Sequence, residues 1–120
     1  NMAVAPYADG FLLSEVLLGD GYLDLPRVID IVRRAKPKAH FLLEMITRDP
    51  LKVPCLTDKY WAGFPDRNGV YLARTLRFVN ANKSVKPLPH ISQLSHEAQI
   101  KLEDENVVAC LKYAHANLSM

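Results

Sequence analysis

The sequence predicts a single α/β domain, and three observations support that fold class. The chain has 120 residues, of which 49% are hydrophobic and 23% charged, as in an ordinary globular core. Residues 24–36 carry the apolar periodicity of an amphipathic helix. Residues 39–46 form a nearly continuous apolar run, which is typical of a strand covered on both faces. A helix followed by a buried strand is half of a parallel α/β repeat.

Length, charge and cysteine content exclude several classes of protein. A complete eight-stranded (β/α) barrel needs roughly 200 residues or more, so this chain is too short to be one. A net charge of +2 does not favour binding to nucleic acid or to a charged membrane surface. No apolar run reaches the roughly 20 residues of a membrane span, and the start does not resemble a signal peptide. We expect a cytoplasmic protein in which Cys55 and Cys110 are reduced.

The N-terminal third is predicted to combine a strand end with a long loop. Residues 1–5 are apolar without a polar preamble, which indicates the end of a buried strand and a start inside a larger fold. Residues 6–24 are predicted to be irregular because Pro6 and three glycines interrupt them. A loop of this length in a compact domain is often functional.

The first helix and the strand after it are the clearest elements. Asp24 is a favourable N-cap, Pro26 suits the first turn, and Pro37 ends the helix. Its predicted buried stripe consists of Leu25, Val28, Ile29 and Val32. In the strand predicted at 39–46, the one charged residue is Glu44, close to the C-terminal end.

The C-terminal half is predicted to be helical. A short helical turn is expected through Tyr60 and Trp61, a helix over 66–81, and a proline-containing linker over 83–89. A final helix is predicted from its N-cap Ser95 to Leu118. The predicted buried residues of these two helices are Leu72, Leu76 and Val79, then Ile100, Val107, Leu111, Ala114 and Leu118.

Glu44 is the strongest candidate for a catalytic residue. A carboxylate at the end of an apolar parallel strand is costly to bury unless it is paired or binds a metal ion. Active-site groups of barrel folds project from such strand ends. The alternative is a structural carboxylate paired with Arg48 or with the following helix.

Arg48 is the second candidate, as a substrate-binding residue. Its planar guanidinium can hold a phosphate or carboxylate group, and the alternative is an ion pair between neighbours that stabilises the loop. Three other features carry less information about function. The Gly19–Gly21 run lacks the spacing of a phosphate-binding loop, and the four histidines lack the spacing of a metal site. The lysines form no dense basic patch.

Three strings resemble the sugar phosphate isomerase/epimerase family of xylose-isomerase-like TIM barrels. They are Asp9–Val16 (DGFLLSEV), Leu18–Leu25 (LGDGYLDL) and Phe41–Thr57 (FLLEMITRDPLKVPCLT). The resemblance runs from Met2 through Tyr60 and Trp61, and more loosely into the final helix. It implies that the chain is the C-terminal part of a (β/α)8 barrel with about two strands and a helical C-terminal extension. Residues 1–82 would hold the last βα units, and 83–120 the linker and the helix that packs on the barrel.

The resemblance also implies a chemistry. Glu44 matches the family's eighth-strand glutamate, which is both a ligand of a divalent cation (Mn²⁺ or Mg²⁺) and an acid/base. The remaining ligands, a histidine and further carboxylates, would lie on earlier strands, so the chain alone would be inactive. Its substrate would be a sugar or sugar phosphate. Its structural partner would be the missing barrel strands or a partner chain, and the resemblance also allows a homo-oligomer. The alternative hypothesis is a non-enzymatic α/β module that pairs its open strands with a partner.

Overall fold

The computed structural model describes residues 1–119, which contain both helices and a small sheet and so form an α/β domain. The elements in chain order are β1 (Met2–Tyr7), β2 (Gly10–Glu15), α1 (Leu25–Ala35), β3 (Leu51–Val53), α2 (Asp58–Trp61), α3 (Gly69–Ala81) and α4 (His96–Asn117).

The sheet has three strands in the order β1-β2-β3, and both pairings are antiparallel. In the β1–β2 hairpin Tyr7 lies opposite Gly10 and Met2 opposite Glu15. The prediction that residues 6–24 are irregular is therefore wrong for 6–7 and 10–15. Gly10, which suggested a loop, is the first residue of β2 and follows a two-residue turn formed by Ala8 and Asp9, the commonest kind of hairpin connection. At its other edge β1 meets the segment after α3, through a parallel bridge between Val4 and Lys83.

The strand predicted over 39–46 is absent, and this is the main correction to the sequence analysis. Residues 39–50 have no regular secondary structure. Within the described residues, the backbone groups of 40–46 make no hydrogen bond to another backbone group. Leu42 is 94% exposed, and Leu43 and Ile46 are also exposed. A strand covered on both faces needs neighbouring strands for its ladder and other elements for its side chains, and residues 1–119 supply neither here.

The predicted helices are confirmed, because local side chains determine where each begins. Asp24 accepts a hydrogen bond from Arg27 N at 3.1 Å at the start of α1, and Ser95 accepts from Ala98 N at 3.3 Å at the start of α4. The helix predicted from 66 begins at 69 instead, since Asn68 is its N-cap and accepts from Val70 N. The short helical turn through Tyr60 and Trp61 is α2.

The core lies between the hairpin, α3 and α4. Its buried apolar residues are Ala3, Val4, Cys55, Val79, Leu88, Ile91, Cys110, Ala114 and Leu118. Both cysteines are free and buried as predicted, and burial raises the pKa of the Cys55 thiol. The α1 stripe was predicted to be buried, yet no α1 residue is. Ile100 and Leu111 of α4 are likewise exposed.

The uncovered apolar residues give the molecule a large surface for its size. The accessible area is 8744 Å², whereas a folded monomer of this length exposes about 6,500 Å². The radius of gyration is 16.9 Å, compared with about 14 Å for a compact domain of this length. The exposed apolar residues include Val28 and Ile31 of α1 and Leu42, Leu43 and Ile46 of the irregular segment.

Candidate functional site

The two residues predicted to carry the site differ in their surroundings. Glu44 is exposed, and it makes no hydrogen bond or ion pair among the described residues. Arg48 binds Glu15 of β2 through two contacts, Nε to Oε2 at 3.0 Å and Nη2 to Oε1 at 3.4 Å. The structure therefore does not pair Glu44 with Arg48. Arg48 does form an ion pair, but with a residue of the sheet rather than with a neighbour in its loop.

The loop after residue 46 is held in place by side chains that are distant in sequence. Thr47 N donates to Glu103 Oε2 at 3.2 Å, and Asn106 Nδ2 donates to Thr47 Oγ1 at 3.0 Å. Both partners belong to α4, so the helix determines where this loop lies. Glu103 is half-buried, whereas the neighbouring carboxylates Asp104 and Glu105 are exposed.

Asp49 anchors the same loop to the segment before α4. Its carboxylate accepts hydrogen bonds from Ile91 N, from Ser92 N at 3.0 Å and from Ser92 Oγ at 2.5 Å. The bonds from Ser92 and Ile91 favour the ionised form and lower the pKa of Asp49 below its usual value of 3.8. Ionised Asp49 thus connects the loop to the linker.

Replacing Asp49 with Asn should lower the melting temperature near neutral pH, by an amount that shrinks in acid. A carboxyl with a lowered pKa in the folded state contributes stability above its unfolded pKa. That contribution is lost as the pH falls from 3.8 through the lower folded-state value. Thermal unfolding of wild type and variant between pH 7 and pH 3 measures the difference. The control is Asp66→Asn, which changes an exposed side chain without a described hydrogen bond and should show no such trend. If the melting temperature of Asp49→Asn differed from that of wild type by the same amount at every pH, ionised Asp49 would not stabilise the fold as described.

A cavity of about 170 Å³ lies beside this loop. Its charged lining consists of Glu15, Asp20, Arg48 and Lys86, and Lys86 Nζ lies 2.7 Å from Asp20 Oδ1. The cavity is thus bordered by two ion pairs, Arg48 with Glu15 and Lys86 with Asp20. Of these four residues, only Arg48 was predicted from the sequence to be a site residue. The others occur in a strand, a glycine-containing loop and a linker, and no motif or spacing connects them.

The described residues do not form a metal centre by themselves. Among residues 1–119 no three His, Cys, Asp or Glu side chains come close enough together to hold a metal ion. Glu44 offers one carboxylate, whereas divalent cations take several ligands.

Comparison with known proteins identifies no relative for this chain. No family of known proteins matches it, and no curated protein or solved structure does. Within residues 1–119, no helix has both the length and the apolar character needed to cross a membrane.

Proposed function

We propose that the chain is the C-terminal part of a (β/α)8 barrel of a sugar or sugar phosphate isomerase/epimerase, with Glu44 as its acid/base. The observation that carries the proposal is the state of residues 40–46. They are mostly apolar, have no regular secondary structure and make no backbone–backbone hydrogen bond among the described residues, and Glu44 lies near their end. An interior strand of a barrel has this composition, and its ladder partners belong to neighbouring strands.

The surroundings of the segment support the same proposal. The loop after it is fastened by Thr47 and Asp49 to α4 and to the linker. A strand end held in this way would keep Glu44 in a constant position once the strand is paired. Residues that carry chemistry in barrel enzymes lie at this end of the strands.

The chemistry proposed for Glu44 is proton transfer at the sugar carbon next to a carbonyl. A carboxylate there removes the proton to form an enediolate, and returning the proton to the neighbouring carbon gives the isomer. The epimer requires a second acid on the opposite face, which in the resembled family is another glutamate and which would have to come from the upstream strands. In the resembled family a divalent cation polarises the sugar oxygens. Here its further ligands would have to come from the strands that pair with 40–46, because residues 1–119 offer too few.

The direct test compares the 120-residue chain with the same chain extended by upstream barrel strands. We expect ketose epimerisation in the presence of Mn²⁺ only for the extended form. We also expect amide exchange of residues 40–46 to slow strongly when the extra strands are present, because hydrogen-bonded strand amides are protected. An extended form with neither activity nor protection at 40–46 would contradict the proposal.

A second candidate function is a non-enzymatic module that assembles through the same segment. The large accessible area of 8744 Å² favours it, since an exposed apolar segment with free backbone groups pairs readily with another chain. Size-exclusion chromatography of the 120-residue chain distinguishes the two. A stable oligomer with residues 40–46 protected would favour the module, and a stable compact monomer would count against it.

A further inference from the structure

We propose that the cavity lined by Glu15, Asp20, Arg48 and Lys86 binds a neutral polyhydroxylated molecule of monosaccharide size and disfavours its phosphate ester. We call it the charge-balanced cavity. The choice of sugars as ligands rests on the proposed function. Selection of the neutral form rests on the charges of the cavity itself.

The charges of the lining cancel. Arg48 and Lys86 are cationic, Glu15 and Asp20 are anionic, and each cation already contacts one carboxylate. A phosphate ester carries between about −1.5 and −2 charges at neutral pH. Such a group would separate each cation from its partner and then lie beside two carboxylates, and like charges at this range repel. A neutral ligand neither separates the ion pairs nor is repelled by the carboxylates.

The hydrogen-bonding capacity of the lining matches hydroxyl groups. A sugar hydroxyl both donates and accepts, whereas carboxylates only accept and guanidinium and ammonium groups only donate. Arg48 uses Nε and Nη2 on Glu15, which leaves Nη1 as a further donor among the described contacts. Lys86 has three donor hydrogens and Asp20 accounts for one described hydrogen bond. The lining thus offers both donors and acceptors, as hydroxyl groups require.

Hydrogen bonds hold the walls of the cavity in place. On one side Thr47 is bound to α4. On the other side Ser84 N donates to Val4 O at 2.8 Å, and Ser84 Oγ donates to Lys86 O at 2.8 Å. Fixed walls reduce the ordering cost of binding a small ligand. The volume of about 170 Å³ is below the roughly 300–1,000 Å³ of pockets for larger ligands, so a monosaccharide suits it better.

The test is an NMR titration of the 120-residue chain with fructose, a fructose monophosphate and inorganic phosphate. We expect fructose to bind with a Kd on the order of millimolar, at least about tenfold more tightly than either phosphate compound. The double variant Glu15→Gln/Asp20→Asn removes both carboxylates and should raise the affinity for fructose monophosphate about tenfold or more. Amide shifts at residues 15–20, 47–48 and 84–86 locate the binding.

The matched control is Asp30→Asn/Glu105→Gln, which changes the net charge equally at two exposed ion pairs outside the cavity. It should leave all three affinities unchanged, and shifts confined to the cavity in a folded double variant would support the proposal. Tighter binding of phosphate by wild type, no binding of fructose, or an equal gain in the control would overturn it. Because this binding needs neither Glu44 nor a metal ion, loss of cavity binding and loss of epimerase activity are separate results.

Discussion

Replacing Glu44 with Gln in the barrel-extended form should lower kcat for ketose epimerisation about a thousandfold. A positioned general base contributes roughly 10²- to 10⁴-fold to such a reaction, and an amide cannot take up the proton. Gln has nearly the size of Glu, and position 44 is exposed in the 120-residue chain, so the change should leave that chain folded. We expect KM to change much less than kcat, because an interaction made mainly in the transition state is removed.

Steady-state kinetics of Glu44→Gln, Glu44→Asp and Glu105→Gln test whether the loss of activity is specific to the carboxylate of residue 44. Glu105→Gln replaces a carboxylate on the exposed face of α4, 60% exposed and paired only with Lys101, and should keep full activity. Glu44→Asp keeps the charge but withdraws it by one methylene, so it should retain more activity than Glu44→Gln. Activity that survives Glu44→Gln would refute the role assigned to this residue.

Replacing Gly10 with Ala should lower the free energy of unfolding by about 2–3 kcal/mol. Gly10 begins β2 with a φ of +154°, a backbone conformation that residues with a Cβ rarely adopt. A Cβ at this position would overlap Val53 O and would lie 2.8 Å from Cys55 N. Both are backbone atoms, so relief requires β2 to move away from the β3 segment.

The control for this prediction is Gly69→Ala at the first residue of α3. A Cβ there meets no atom within 4 Å, and Ala favours the helix by about 0.5–1 kcal/mol over Gly. Urea denaturation should therefore show a small gain for Gly69→Ala and a large loss for Gly10→Ala. Equal effects at the two sites would mean that the close contacts of Gly10 with Val53 O and Cys55 N do not require a glycine at this position.

The helices were predictable because their ends depend on a few neighbouring residues. Asp24 and Ser95 each accept a backbone hydrogen bond three residues ahead, which is the geometry that their position in the sequence predicts. Which face of a helix is buried depends instead on the rest of the molecule. That is why the α1 stripe, though strongly periodic, has no buried residue in this chain.

The sheet could be predicted only in part. The composition of 39–46 predicts a buried strand, and that prediction is wrong because a strand also needs a ladder partner, which residues 1–119 do not supply there. Such a partner cannot be inferred from the composition of the segment. β2 was missed for a different reason, since its glycine was taken as a loop residue although it follows a hairpin turn.

The residues that line the cavity were the hardest part of the molecule to predict from the sequence. Arg48 was selected for its position after a predicted strand, but its partner Glu15 is 33 residues away, and Lys86 and Asp20 are separated by 66. Pairings over such distances follow from the tertiary structure and leave no spacing pattern. Residues that meet only across the fold therefore cannot be recognised from their spacing in the sequence.

The exposed segment 40–46 limits how long a newly synthesised chain can stay free of aggregation. Its seven residues include one carboxylate and no proline, a composition that stacks readily into intermolecular β-structure. In the barrel proposed above, pairing of this segment with neighbouring strands would compete with that aggregation. Aggregation rises faster with chain concentration than pairing with strands of the same polypeptide, whose rate is independent of concentration. If the proposal holds, covalent linkage to those strands would protect the segment best.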